Sequence, residues 1–544
     1  MSDPTLPVDT LLDSFIAQAA GDGVAIAIRA LNLRLVAANT DTVELSQQVI
    51  GGLLRRGQAV AAVAVADAAI ARSPQALDLR YWRGNALRLS AQPVAAESAL
   101  RVVLEQAPEH RDAALSLAHL LREQGRMLAA GEVLVASLHA RNSDVEEIRS
   151  ALVFLRECGN YSQAHALAQQ ALQRWPNNAG IAALAGEFAL AIGAFESARD
   201  CLRTALTEDP GNSASWLRLG YCQRYLRRDD PDLRRIENAW HNPMLSEQAR
   251  TCAGFALGKA LDDLADCAGA VNVLRQANAM AAVQANWSVQ DWRRFVKMRL
   301  KSATLPSVAA CEDFTPVFIV GLPRTGTTLL ATLLGRSEYV RERGELNWID
   351  GMYRMLDAQD RLGDPAALEK VAQLVAAQMR RDDTPARFYI DKNPLNFRYL
   401  DLIAALFPQA KIIHCTRELR DAALSLWMQH FAHADLGFAY DFSAISEFAH
   451  GYRQLFAHWR KALNLPIFEL DYSALTSDTE ATTQKLAEFL GLGVLPAGTL
   501  TGTPAQAIAT ASVWQARQPV HARSIGRWRA YVPYLPELSS RFPE

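Results

Sequence analysis

Pro316-Val-Phe-Ile-Val-Gly321-Leu-Pro-Arg-Thr-Gly-Thr-Thr-Leu-Leu330 is the stretch that decides the fold of the C-terminal part of the chain. An apolar run reads as a buried strand, a glycine-bounded turn follows, and an apolar helix begins behind it. Such a turn aims backbone N–H groups and a helix N-terminus at an anion. Gly321 and Gly326 stand at the spacing of a nucleoside-triphosphate loop. Thr327, however, occupies the place where such loops need a lysine to reach the β- and γ-phosphates. A kinase or ATPase is therefore disfavoured. What remains is a site for a 5′-phosphate whose second group is less charged than a diphosphate and needs no magnesium.

Working outward, β-rich runs alternate with helical stretches from about residue 312 onward, the pattern of an α/β domain with a central parallel sheet. The strand Phe388-Tyr-Ile-Asp391 turns at Lys392-Asn-Pro394, which sets an ammonium at the carboxyl edge of the sheet, where open α/β folds bind ligands. The strand Lys411-Ile-Ile-His-Cys-Thr416 ends at Arg417, and Ser425 follows eight residues later. That distance carries the chain into the second turn of the next helix, so both side chains can converge on one phosphate. Ile467-Phe-Glu-Leu-Asp-Tyr472 reads as a further strand closed by a tyrosine, for which a buried rim position is the alternative.

The N-terminal half has another rhythm. Pro74, Pro108, Pro176 and Pro210 are 34, 68 and 34 apart, and the missing member falls at Asn142. Ten residues past these markers stand Gly84, Ala118, Leu152, Gly186 and Gly220, and twelve further on stand Ala96, Ala130, Ala164, Ala198 and the divergent Asp232. Small residues in these phases imply paired antiparallel helices whose backbones approach closely, with proline ending each pair. This resembles the tetratricopeptide repeat, whose Trp-x-x-Leu-Gly opening is met by Trp216, Leu219 and Gly220, while Leu152 departs from it. Gly258 and Ala270 suggest another unit near 250–281, after an irregular connector from Arg228 to Met244. An earlier unit has Ala62 in phase but Ile50 where a small residue is expected. A solenoid of this kind presents a groove for a peptide or another subunit, or serves as a spacer or dimerisation scaffold.

Composition narrows the rest. The chain has 544 residues, 50% hydrophobic and 21% charged, which excludes disorder and fibrous classes. The net charge of −2 is evenly spread, with 31 Lys+Arg against 32 Asp+Glu before residue 301 and 25 against 26 after it, so neither half is a polyanion binder by charge. No nucleic-acid or membrane partner is expected. The longest uncharged apolar run near the N-terminus, Ala59 to Ala66, is eight residues, which leaves no visible export signal, and a cytoplasmic location is expected. The seven cysteines are scattered without a Cys-x-x-Cys pair and are expected to be reduced, mostly buried thiols with neither disulfide nor zinc.

With Pro323 and Arg324 before Gly326 and Thr327 and Thr328 after it, the loop resembles that of sulfotransferases using 3′-phosphoadenosine 5′-phosphosulfate (PAPS). Its likeness is to the tyrosylprotein sulfotransferase branch and to bacterial proteins that join tetratricopeptide repeats to such a domain. The resemblance implies PAPS as co-substrate without a metal, held by Pro323, Arg324, Thr325, Gly326, Thr327 and Thr328. It makes Glu345 the base for the acceptor hydroxyl, sets Lys392 and Ser512 on the bridging oxygen, and gives Arg324 a part in binding the donor and steadying the transition state. Arg417 and Ser425 hold the 3′-phosphate, Tyr472 touches the donor, and Gln515 and Arg517 lie in the segment from Ser512 to His521 that wraps the adenine. Arg527 replaces a 3′-phosphate lysine. Gln429 stands where that branch has another arginine, and Gly344 where it often has a second acid. Histidines 414 and 430 read as structural.

The expected architecture is thus an all-α tetratricopeptide solenoid over 1–300, a linker over 301–315, and a P-loop-like α/β sulfotransferase domain over 316–544. The expected activity is sulfuryl transfer from PAPS to a hydroxyl, a tyrosine of a peptide or protein held by the repeat groove. A small-molecule or glycan hydroxyl and a non-catalytic repeat adaptor remain alternatives, and a homodimer is possible.

Overall fold

The computed structural model of the chain describes residues 8–37, 42–140, 143–308, 313–381, 385–431, 434–492 and 523–542. Two compact units emerge, Met1–Asn160 and Tyr161–Glu544, so the helical stretch up to residue 300 is shared between them.

In the first unit the helices come in pairs, Val8–Asp22 with Val24–Ala37, Thr42–Arg55 with Ala59–Arg72, Leu77–Leu89 with Pro93–Gln106, and Arg111–Glu123 with Met127–His139, before Val145–Glu157. The first pair lies within the expected helical stretch but carries none of the repeat markers. Ile50 and Ala62 are both fully buried, so a bulky residue is accommodated in the early unit. The small residues mark close approaches, since a Cβ on Gly84 would lie 2.8 Å from Leu100 Cγ on the paired helix.

The period has a second physical cause that the proline markers only hint at. His110, Asp144, Asn178, Asn212 and Ser246 stand 34 apart, and each caps a helix by accepting a backbone N–H three residues on. Capping satisfies an otherwise orphaned donor at each of these five first turns, although Ala76, in the same phase before Leu77–Leu89, offers no side-chain cap.

The second unit continues with Tyr161–Arg174, Ala179–Ile192, Phe195–Glu208 and Ser213–Tyr221. The segment from Arg228 to Met244, expected as an irregular connector, instead carries the helix Pro231–His241. Asp230 caps it, Pro231 takes the first-turn position that proline favours, and Leu233, Ile236 and Trp240 bury one face. Asp232, which replaces the repeat's alanine, is buried and receives both Nε and Nη2 of Arg203 at 2.8 Å. Glu247–Asp263, Cys267–Gln284 and Val289–Arg299 complete the helical part.

Five strands then form one parallel sheet: β1 (Thr315–Gly321), β2 (Val340–Glu342), β3 (Phe388–Asp391), β4 (Lys411–Thr416) and β5 (Ile467–Asp471), in the order β2-β3-β1-β4-β5. β1 is central and buried along nearly its whole length, as its continuous apolar sequence demands. The chain crosses β1 between β3 and β4, so a crevice opens at the carboxyl ends of these three strands. Tyr472 does not close β5 but begins the helix Tyr472–Ser477, because Asp471 caps that helix through the N–H groups of Ser473 and Ala474.

Among the described cysteines five are buried and Cys267 is half-buried, all as free thiols. No described helix is long and apolar enough to cross a membrane.

Candidate functional site

The loop leaves β1 through backbone conformations that few side chains tolerate. Gly321 has φ +152°, and a Cβ there would sit 2.3 Å from the Cys415 carbonyl oxygen. Gly326, at φ +93°, caps the helix Thr327–Leu334, and a Cβ there would strike Tyr472 at 2.3 Å. Arg324 itself holds φ +74°, a left-handed conformation that costs a non-glycine residue of order 1 kcal/mol and clusters at ligand-binding turns. Thr325, Thr327 and Thr328 are buried beneath the turn, and Thr325 Oγ1 donates to the Leu322 carbonyl at 2.8 Å.

Arg324 Nε donates to Ser425 Oγ at 3.0 Å, which brings the loop onto the helix Leu419–Trp427. Burial pushes the Arg324 guanidinium below its ordinary value, while Tyr221 foremost, with Glu345 and Tyr472, favours its charge and Arg417 opposes it. One guanidinium is therefore within electrostatic reach of the base candidate, a second arginine and two phenols.

Arg417 donates to the Arg324 carbonyl at 3.0 Å and to the Ser524 carbonyl at 2.6 Å, and its guanidinium lies 4.7 Å from the Tyr472 ring centroid. Burial lowers its pKa as well. Arg417 Nε and Trp528 Nε1 are buried donors without a hydrogen-bond partner among the described residues. Orphaned donors of this kind mark a place where an anion fits. The Ser524 hydroxyl is 2.8 Å from the Tyr472 hydroxyl, and Asp421 accepts the N–H groups of Gly526 and Trp528 at 2.6 and 3.0 Å, clamping residues 524–528 over the helix that carries Ser425.

On the other side of the crevice Lys392 Nζ lies 3.0 Å from Glu345 Oε1. The lysine side chain is only 4% exposed and the glutamate 46%, so the carboxylate faces the opening and the ammonium stands behind it. Their loops are tied together, because Lys392 N donates to the Gly344 carbonyl at 3.0 Å and Asp391 Oδ1 accepts from Leu346 N at 3.2 Å and from Asn393 N at 2.9 Å. Asp391 Oδ2 accepts from Asn396 Nδ2 at 2.8 Å. Burial raises Asp391 to about 7, against the pull of those donors.

Arg527 lies within electrostatic reach of Arg417. It forms an ion pair with Asp262 of the helix Glu247–Asp263, which, with Tyr531, holds the guanidinium above its ordinary value although burial works against it. Ser512, Gln515 and Arg517 lie outside the described residues. His414 is buried between Glu469, 2.5 Å from Nδ1, and the Tyr452 hydroxyl, with its ring stacked on Phe456 at 3.6 Å, as a structural histidine should be. His430 packs edge-on against Phe255.

Residues 316–496 match the family described as "Sulfotransferase family", and residues 155–220 match "Tetratricopeptide repeat". The chain carries a sulfotransferase-family domain joined to tetratricopeptide repeats. An uncharacterised protein of Aquifex aeolicus is 29% identical over 397 residues, covering 69% of this chain and 51% of its own length. Protein-tyrosine sulfotransferase 2 of Gallus gallus is 24% identical over 255 residues, covering 41% of this chain and 65% of its own. The chain thus spans about half the length of the first of these relatives and somewhat under two thirds of the second. Among solved structures, the sulfotransferase domain of the Synechococcus PCC 7002 olefin synthase is 18% identical with a TM-score of 0.30, covering 41% of this chain and 90% of that one. Within the sulfotransferase-family domain, sequence reasoning missed Asp391 and Asp421, which bind backbone rather than ligand. It also missed the repeat residues Tyr221 and Asp262, for which no local motif exists.

Proposed function

We propose that this protein transfers the sulfuryl group of PAPS to a hydroxyl acceptor, a tyrosine phenol of a peptide or protein lying along the repeat groove. The observation that carries the reading is the Glu345–Lys392 pair, 3.0 Å apart, at the carboxyl edge of the sheet beside a phosphate loop that lacks the kinase lysine.

The donor, when bound, supplies an activated sulfuryl group attached through a bridging oxygen to its 5′-phosphate. Glu345 faces the opening and takes the acceptor hydroxyl's proton as the acceptor oxygen attacks sulfur, the bond from sulfur to the bridging oxygen breaks, and adenosine 3′,5′-bisphosphate leaves. Lys392 places a buried positive charge where the bridging oxygen becomes a phosphate oxygen, and Arg324 adds charge to the sulfonate oxygens. Arg417 and Ser425 hold the 3′-phosphate, to which the orphaned Arg417 Nε is suited. Asp391 keeps base and lysine in mutual register through the backbone of Leu346 and Asn393.

Glu345→Gln should cut turnover by roughly 10²-fold or more, the usual contribution of a general base, while calorimetry with adenosine 3′,5′-bisphosphate shows donor binding intact. Radiolabelled PAPS presented with a panel of tyrosine peptides, glycans and metabolites would identify the acceptor. Unchanged turnover in Glu345→Gln would remove the glutamate from the base role.

A further inference from the structure

The helix Ser213–Tyr221 belongs to the repeats, yet its last residue reaches the phosphate side of the crevice. Gln429 Nε2 donates to the Tyr221 hydroxyl oxygen at 2.7 Å. Gln429 lies four residues beyond Ser425, in the turn that closes the helix Leu419–Trp427, and the Ser425 hydroxyl receives Arg324 Nε. Four side chains from three separate parts of the chain, Arg324, Ser425, Gln429 and Tyr221, therefore form one polar row. Because Gln429 occupies a lone pair of the phenol oxygen, the phenol hydrogen is left to point away from Gln429, and among the described residues it has no acceptor. Tyr221 is half-buried, and its phenol hydrogen is available to an acceptor that arrives beside Gln429. Arg324 is the charged group that acts on it most strongly, so an arriving acceptor that is anionic would meet both at once.

We propose that Tyr221 is a donor ligand of the nucleotide, contributed by the repeat helices, and that its hydroxyl donates to the phosphate held by Ser425, with Gln429 as the positioning residue that aims it. The proposal rests on the PAPS reading above, in which that group is the 3′-phosphate. Burial raises the Tyr221 phenol to about 12, so it keeps its proton across the neutral range and acts as a donor there. The consequence is that the repeats are part of the donor site: a nucleotide that lacks the 3′-phosphate has nothing to offer Tyr221.

The test is calorimetry on the full chain with adenosine 3′,5′-bisphosphate and with adenosine 5′-monophosphate. Wild-type protein should prefer the bisphosphate. Tyr221→Phe removes one hydroxyl and should weaken bisphosphate binding about tenfold while leaving the monophosphate unchanged, as expected for one charge-assisted hydrogen bond. Gln429→Glu is the second variant. Its carboxylate accepts the phenol hydrogen and adds a negative charge, so the preference for the bisphosphate should fall by more than in Tyr221→Phe. Equal losses for both nucleotides, or no loss in either variant, would overturn the contact while leaving the donor reading standing. Wild-type protein that does not distinguish the two nucleotides would instead overturn the donor reading, and the contact with it.

Discussion

Gly84 in the first compact unit and Gly186 in the second hold the same place in their repeats, and a Cβ on either would strike the leucine sixteen residues on, at 2.8 and 2.6 Å. The helices around them are nevertheless put to different use. Among the described residues, the buried polar side chains of the first unit are four serines and an asparagine, Ser46, Ser116, Ser137, Ser143 and Asn160. Its charges pair at the surface, as Arg83 does with Asp67, their side chains 34% and 51% exposed. In the second unit the repeat helices send charge and hydrogen bonds into the sulfotransferase-family domain. Arg299 is 1% exposed against Asp401 at 4%, and it also donates to the Tyr353 hydroxyl at 2.7 Å. Asn278 donates to the Trp427 carbonyl at 3.0 Å, Trp292 stacks on Phe448 at 4.4 Å, and Asp262 holds Arg527. One repeat chemistry thus serves as a stack of its own in one place and as a wall of the sulfotransferase-family domain in another.

The largest expected effect comes from cutting the chain. A fragment of residues 161–544 should unfold cooperatively and keep affinity for adenosine 3′,5′-bisphosphate. A fragment of residues 301–544 should not fold, because it exposes the aromatic face of Phe448 and leaves Asp401 buried without Arg299. Circular dichroism melts of the two fragments check this. A cooperative transition with undiminished nucleotide affinity in the shorter fragment would break the distinction between the two sets of repeats.

Next in size is the contrast between the two ion pairs. Arg299→Met strands a buried carboxylate, one of whose oxygens already has no partner, and should cost about 3–5 kcal/mol of stability. Arg83→Ala removes an exposed pair and should cost less than about 1 kcal/mol. Denaturant titration of each variant measures both, and similar costs would show that the second unit's repeats are no more deeply engaged than the first's.

What the sequence makes legible follows the same divide. The phosphate loop, the Lys392 turn, the Arg417–Ser425 spacing and the 34-residue period are all written in short stretches, because each depends on neighbours within a strand, a turn or one helix. The residues that sequence reading missed depend on partners far along the chain. Tyr221 meets Gln429 from 208 positions away, and nothing local marks it, since the residue after the repeat's Gly220 carries no constraint of its own. Asp421 reads as a surface acid of a helix first turn until the backbone of residues 526 and 528 arrives to bind it. The helix at Pro231–His241 was hidden for a different reason. Its Asp230-Pro231 start is an ordinary helix signal, but Asp232 in the alanine phase made the segment look like a break, and only Arg203 explains the acid.

The smallest effect is also the one that separates the two kinds of repeat most finely. In Gly84→Ala the new methyl would lie 2.8 Å from both Cγ and Cδ2 of the buried Leu100, which must shift, and alanine's helix preference of up to ~1 kcal/mol offsets part of that cost, so a small net loss is expected. In Gly220→Ala the methyl meets Ala256 at its Cβ, 2.7 Å, and at its Cα, 3.0 Å. Backbone cannot rotate away, so the helix ending at Tyr221 must shift, at a cost of about 1–3 kcal/mol. Because Tyr221 is the next residue, that shift should also draw its hydroxyl off Gln429 and weaken adenosine 3′,5′-bisphosphate binding several-fold. Melting temperature and calorimetry on Gly220→Ala read the two consequences separately. A destabilised variant with unaltered nucleotide affinity would mean that this helix packs against the sulfotransferase-family domain without reporting to its site.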